Sequence, residues 1–288
     1  MSATDYPAAV LETALAANGL PISLTTLINL ANGVMAAYDA YSKGTTPSLN
    51  GYTYVAPINV HELTGYQLLG FAAYANNLSH NIIILRGTVT AEEADYDLQG
   101  WGLNTPCSLP SSGNHKANYG NVKKDLYDFY TGTNFGTVTS LASSFNTAVK
   151  KVAQANPGKP WFVAAHSLGG ALATLGALDA VVSNSYGSTA KPTLVTFGSL
   201  HLGDQSFANK FNSILPSTLR FANLSDFVPS LVSLLPGSPN PYVHVGLEAT
   251  FIWEKWDNWA NHSMQFTYLP TLQNYSSVIK VGPRQYPQ

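Results

Sequence analysis

Ser167 interrupts the stretch Trp161–Ala171, WFVAAHSLGGA, where an apolar run gives way to small residues. The surrounding pentapeptide, Ala165-His166-Ser167-Leu168-Gly169, fits the pattern G-x-S-x-G with alanine in place of the first glycine. In that pattern a serine occupies a tight, strained strand-to-helix turn that lifts its hydroxyl into the open. Small residues two positions before and after it let strand and helix approach without clash. The same turn puts the serine at a helix N-terminus, where unpaired N–H groups and the helix dipole favour a developing negative charge. The pentapeptide alone arises often by chance. An apolar strand before it and a small-residue helix after it make it specific, so the expected chemistry is nucleophilic attack by Ser167. The plainer alternative is a serine in an ordinary strand–helix turn. The turn is expected to point the neighbouring His166 elsewhere.

A serine hydroxyl attacks only when a base takes its proton and a third group orients the base. On a strand–turn–helix elbow the partners follow in the order serine, acid, histidine. The downstream acids are Asp179, Asp204, Asp226, Glu248, Glu254 and Asp257. Asp179 falls inside a helix, and Asp204 opens one, where an N-cap role suffices. Asp226 follows the strand-like TLRFAN, at a carboxyl edge where open sheets bind ligands. The downstream histidines are His201, His244 and His262. Their positions favour the late His262 but leave all three open.

These residues need a scaffold, and the chain supplies alternating patterns. A helix is expected over 21–41, and an antiparallel hairpin joins LLGFAAYA (68–75) to NIIILRG (81–87). Helices follow at about 120–130 and 137–155. Then come strand 161–165, helix 169–183, strand 193–198, helix 204–214, strand 218–223 and a strand-like 247–253. Alternation at this spacing argues a mostly parallel sheet with helices on both faces, in one α/β domain spanning 1–288.

Together these segments resemble the class 3, fungal-type lipases of the α/β-hydrolase superfamily. AAHSLGGALATL resembles their elbow, and ILRGT (84–88) their Arg-Gly-Ser/Thr oxyanion segment. TFGSLHLGD (196–204), RFANLSDFVPSL (220–231), YVHVGLE (242–248) and NHSMQFTYL (261–269) resemble later family segments in the same order. Leu200 and His201 depart from the family's usual Pro-Arg. The resemblance implies a Ser167–His262–Asp226 triad, with His244 not catalytic. It also implies an oxyanion hole from Thr88 and the Leu168 N–H, no cofactor and no metal. The expected activity is carboxylic ester hydrolysis through an acyl-enzyme, on triacylglycerols first. A phospholipase A1-type or feruloyl/aryl esterase would use the same triad. A non-enzyme alternative is an inactive hydrolase fold that binds an apolar ligand.

Composition narrows the rest. Charged residues are 10% of the chain, against about 25% in an average globular protein. The net charge is −2, and the only basic doublets are Lys123-Lys124 and Lys150-Lys151, so nucleic acid is not an expected partner. Cys107 is alone, which excludes an intrachain disulfide and a Cys-based zinc site. No apolar run reaches 18 residues, so no transmembrane segment is expected. The sparse charge suits a secreted protein, although the first 20 residues lack a basic leader pattern and a cytoplasmic location stays open. A monomer is expected. Residues 89–118 are irregular and begin with an acidic cluster, EEADYD (92–97), which suits a lid over neutral esters. Trp253, Trp256 and Trp259 recur every third residue before His262, as a helix packed on the core or as an apolar mouth at a lipid–water interface. Four glycosylation sequons start at Asn77, Asn223, Asn261 and Asn274.

Overall fold

The computed structural model describes residues 5–62, 65–89, 104–110, 118–132, 140–187, 191–230 and 242–282, with backbone only at 5–8, 61–62 and 65. Its elements are α1 (Asp5–Ala17), α2 (Leu24–Lys43), β1 (Tyr52–Glu62), β2 (Gly65–Ala75), β3 (Asn81–Leu85), β4 (Asn104–Pro106), β5 (Asn121–Lys123), α3 (Lys124–Thr131) and α4 (Leu141–Ala155). The second half adds β6 (Trp161–His166), α5 (Leu168–Val182), β7 (Thr193–Phe197), β8 (Gly203–Asp204), α6 (Gln205–Ile214), β9 (Thr218–Asn223), β10 (Tyr242–Val243), β11 (Leu247–Phe251), α7 (Asn258–His262), α8 (Leu269–Asn274) and β12 (Lys280–Gly282).

Eight strands form one sheet in the order β1-β2-β3-β6-β7-β9-β11-β12. Strands β3, β6, β7, β9 and β11 run parallel, whereas β1–β2–β3 and β11–β12 are antiparallel. Side chains alternate between the two faces with period two. Ile83, Leu85, Val163 and Ala165 enter one apolar layer with Phe129, Phe145, Leu172 and Phe207 of α3, α4, α5 and α6. Ile82, Ile84 and Ala164 enter the other with Leu15, Leu30 and Leu272 of α1, α2 and α8. Cover on both faces is why these strands read as unbroken apolar runs.

The expected hairpin is present as β2–β3, and the strand–helix alternation from 161 onward is as read. Four features went unread. Strand β1 carries Pro57, which argues against a strand; it is tolerated because β1 lies at the sheet edge. Strands β4, β5, β8 and β10 form a second, four-stranded sheet from segments too short to show a period. Helix α1 and strand β12 are two further elements beyond those expected. The helix read at about 120–130 is a strand, β5, followed by α3. The segment expected to form a lid, 89–118, lies mostly outside the described residues, which include only 89, 104–110 and 118 of it.

Cys107 is fully buried in the first layer, and burial, then the nearby Asp179 charge, pushes its thiol up to about 12. The thiolate is the reactive form, so the native protein at pH 8 is expected to resist iodoacetamide and to take up one equivalent after unfolding. Mass spectrometry of the labelled chain checks this.

Candidate active site

Strand β6 ends at His166 and α5 begins at Leu168, leaving Ser167 alone to turn the chain. It does so at φ 55° and ψ −131°, a conformation that costs a side-chain-bearing residue about 1–3 kcal/mol. The Ser167 N–H donates to the Phe197 carbonyl at 3.0 Å, tying the turn to β7. Gly169 shows why the following helix needs small residues. A Cβ there would stand 2.1 Å from the Arg86 carbonyl oxygen. At Gly170 an added Cβ would stand 2.6 Å from the Ser199 hydroxyl. Ala165, in place of the pattern's first glycine, is buried without difficulty.

The two other arms come from distant segments. Asp226 follows β9 in a tight turn, its N–H donating to the Asn223 carbonyl at 2.9 Å. His262 closes α7, whose N-terminus is capped by Asp257 accepting from the Ala260 N–H at 2.7 Å. Asn223 braces this arm. Its amide donates to the Trp253 and Asn261 carbonyls, and its oxygen accepts from the Trp253 N–H. His262 Nε2 lies 2.7 Å from Ser167 Oγ, and His262 Nδ1 lies 2.7 Å from Asp226 Oδ2. All three side chains are buried.

A carboxylate only accepts, so Nδ1 carries the imidazole proton and Nε2 is left to accept the serine proton. The carboxylate is held from both sides. Oδ1 accepts from the Val228 N–H at 2.9 Å, and Oδ2 accepts a second bond from Tyr268 OH at 2.6 Å. Burial and the adjacent Asp226 charge hold the Tyr268 phenol well above its ordinary value, so it stays a donor. Tyr268 arrives on a π-helical turn, Met264–Tyr268, separated from His262 only by its cap, Ser263. The packing leaves no slack: a Cβ on Gly198 would stand 2.9 Å from Asp226 Oδ2 and 3.0 Å from His262 Cε1.

The two residues expected to form an oxyanion hole, Thr88 and Leu168, adjoin Gly87 and Ser167 in the chain. Leu168 opens α5, so its N–H has no intrahelical acceptor, whereas the Gly170 N–H donates to the Ser167 carbonyl at 2.8 Å. Thr88 follows Gly87, which packs so close that a Cβ on it would stand 2.6 Å from Ser167 Cβ. Arg86 is fully buried and donates through Nη1 to the Gly87 carbonyl at 2.7 Å. Peptide planarity then aims the Thr88 N–H the opposite way.

The other candidates lie elsewhere. Asp179 accepts from Tyr130 OH and the Asn146 amide inside the core. Asp204 caps α6 through the Phe207 N–H, as read. Glu248 pairs with Arg220 at 2.5 Å across β9 and β11. The His201 and His244 rings stack on each other at 3.7 Å, with a His244 Nε2–Pro229 carbonyl distance of 2.9 Å.

Two expectations need correction. His166 does not turn away: its ring lies 4.5 Å from that of His262, because the strand end and α7 pack together. The tryptophans do not line a core-facing helix either. Helix α7 covers only 258–262, and Trp256 and Trp259 are 69% and 70% exposed. The sequons at Asn223 and Asn261 are buried and engaged in this bracing, so they cannot carry a glycan in the folded protein; Asn77 and Asn274 are exposed. Among the described residues no three His, Cys, Asp or Glu side chains gather to hold a metal ion, and no helix is long and apolar enough to cross a membrane.

Solved structures share this architecture. A triacylglycerol lipase from Penicillium expansum superposes with a TM-score of 0.57 at 17% identity, over 78% of this chain and 79% of that one. Lipase II from Rhizopus niveus gives 0.59 at 15% identity, over 91% and 84%. The lipase–propeptide complex of Rhizomucor miehei gives 0.56 at 21% identity, over 88% and 79%. At these identities the likeness establishes the α/β-hydrolase fold. The sequence itself matches the family described as Lipase (class 3) over residues 82–235, from β3 through the elbow and past Asp226. That match covers just over half of the chain, so the protein belongs to the class 3 lipases, a family of carboxylic ester hydrolases.

Proposed function

We propose that the protein hydrolyses neutral acylglycerol esters, triacylglycerols first, with Ser167 as nucleophile, His262 as base and Asp226 as orienting acid. The observation that carries the reading is the pair of 2.7 Å contacts that join a strained elbow serine to a histidine and a buried carboxylate. His262 Nε2 takes the Ser167 proton as Oγ bonds to the ester carbonyl carbon. The carbonyl π pair moves onto oxygen, where the Leu168 N–H and the Thr88 N–H and hydroxyl would receive it. Collapse expels the alcohol, which takes the proton from His262. Water then repeats the sequence on the acyl-enzyme and releases the fatty acid.

The lipid reading has its own support. Leu224, Ile252, Trp256, Trp259 and Phe266 are between 43% and 70% exposed, on segments that follow β9 and β11 or flank His262. The Leu224 N–H donates to the Phe251 carbonyl, which sets Leu224 beside Ile252. Trp259 packs edge-on against Phe227, the neighbour of Asp226, and Trp256 against Phe266. Exposed tryptophans beside a catalytic mouth suit a lipid–water boundary, where their apolar rings enter lipid and their N–H groups stay wet.

Hydrolysis of p-nitrophenyl esters from C2 to C18, with emulsified triacylglycerol alongside, tests the substrate. A preference for C8 or longer is expected. A C2–C4 or aryl preference would move the protein to small-ester or aryl-ester hydrolysis with the same triad. Trp256→Ser with Trp259→Ser is expected to weaken turnover of the emulsion by roughly tenfold or more, since each ring forfeits on the order of 1 kcal/mol of apolar transfer. Turnover of a soluble C4 ester should hold within twofold.

A further inference from the structure

Tyr38 and His166 stand outside the triad, yet both reach its two halves. Tyr38 rides on α2, which packs on the second face of the sheet through Leu27, Leu30, Ala31 and Val34. Its hydroxyl accepts from the Gly87 N–H at 2.8 Å and lies 2.7 Å from His166 Nδ1. The other nitrogen of His166, Nε2, lies 2.8 Å from the backbone carbonyl of His262. A carbonyl only accepts, so Nε2 carries the proton. In the neutral ring Nδ1 must then accept, and Tyr38 must donate to it. The directions are therefore set without ambiguity: Gly87 N–H to Tyr38, Tyr38 O–H to His166, His166 N–H to the His262 carbonyl.

We propose that Tyr38 and His166 form a positioning relay that locks the Arg86-Gly87-Thr88 strand end to the backbone of the catalytic base, so that the oxyanion arm and the proton-transfer arm stay in register. The proposal rests on the triad reading. Gly87 marks where the parts meet: a Cβ on it would stand 2.4 Å from the Tyr38 hydroxyl, 2.6 Å from Ser167 Cβ and 3.1 Å from His166 Nδ1. Both peptides that meet at Gly87 are held, the Arg86–Gly87 peptide by its N–H on Tyr38 and the Gly87–Thr88 peptide by its carbonyl on Arg86, and the second carries the Thr88 N–H. Tilting that peptide would swing the Thr88 N–H, and a misplacement of about 1 Å can cost on the order of 10²-fold in rate. At the other end His166 fixes the main chain of His262 while its ring lies against the imidazole. Burial, then the neighbouring His262, holds His166 well below the ordinary histidine range. A neutral ring can stand there without opposing the positive charge that His262 acquires during attack. Tyr38 and His166 touch no reacting atom in this scheme; they act through Gly87 and His262.

The test uses the full-length protein, a soluble p-nitrophenyl ester, and active sites titrated by the acyl-enzyme burst. Tyr38→Phe removes one oxygen and keeps the ring. It is expected to lower kcat at least tenfold while KM stays within twofold. His166→Leu should lower kcat about 100-fold. His166→Gln, whose amide can still donate to the His262 carbonyl, should recover at least tenfold over the leucine variant. An unchanged kcat in Tyr38→Phe would overturn the relay, as would losses that merely track the folded fraction measured by circular dichroism. Equal losses in the glutamine and leucine variants would overturn the His166 arm. Ser167→Ala, run in parallel, separates the two ideas. If that variant keeps activity, the triad reading fails; if it is inactive while Tyr38→Phe is unchanged, only the relay fails.

Discussion

Ser167→Ala is expected to lower kcat for ester hydrolysis by on the order of 10⁶, as loss of the nucleophile does in serine hydrolases of this type. The variant should fold. The Ser167 side chain caps nothing in α5, so alanine removes only the 2.7 Å contact with His262. The backbone strain at φ 55° is a separate quantity and can be read separately. Ser167→Gly places the one residue that adopts this conformation freely at the elbow. It should therefore be as inactive as the alanine variant yet more stable by roughly 1 kcal/mol, which thermal unfolding would show. An inactive glycine variant that is also less stable would mean that the turn is not strained. The two substitutions together distinguish a serine kept for chemistry from a serine kept for the turn.

Asp226→Asn should cost about 10⁴ in kcat with little change in KM, because it attacks the tautomer of the base. Oδ2 receives two donors, His262 Nδ1–H and Tyr268 O–H, and Oδ1 receives a third, the Val228 N–H. An asparagine has one acceptor oxygen and one donor amide. With its amide toward His262, Nδ1 must become the acceptor, Nε2 takes the proton, and Ser167 faces a donor where it needs a base. With its amide toward Val228, two donors oppose each other at 2.9 Å. Either orientation leaves a buried mismatch, so a loss of about 1–3 kcal/mol of stability should accompany the lost activity. Tyr268→Phe removes one of the three donors and should cost far less than Asp226→Asn.

The elbow was legible because its constraint is local: strand, turn and helix share eleven residues, and the small residues at 165, 169 and 170 are needed where they stand. Asp226, which meets His262 at 2.7 Å, was legible as a candidate from its place after β9. The choice among His201, His244 and His262 was not, because sequence position does not tell which histidine the fold turns toward Ser167. Position favoured the last without excluding the others, the resemblance favoured it more strongly, and the 2.7 Å contact to Ser167 distinguishes it geometrically. Tyr38 gave no signal at all. It lies 128 residues before His166 and meets it through the packing of α2 on the sheet. His166 meets His262 for a related reason. An elbow does point its neighbours away from the nucleophile's Oγ, but here away from Oγ is toward α2 and α7. Strand β1 was hidden by Pro57, since an edge position becomes visible only when the whole sheet is assembled. The tryptophan periodicity misled because α7 is one short turn, too brief to bury a face.

The central claim, that Ser167 is the nucleophile of an acyl-transfer reaction, is tested most directly by locating the adduct of a fluorophosphonate probe. The protein would be labelled to complete inactivation, digested, and the modified residue identified by mass spectrometry. One adduct per chain on Ser167, with labelling slowed at least 10³-fold in His262→Ala, is the predicted result. Inactivation with the adduct on another residue, or full ester hydrolysis by a chain that takes up no probe, would contradict it.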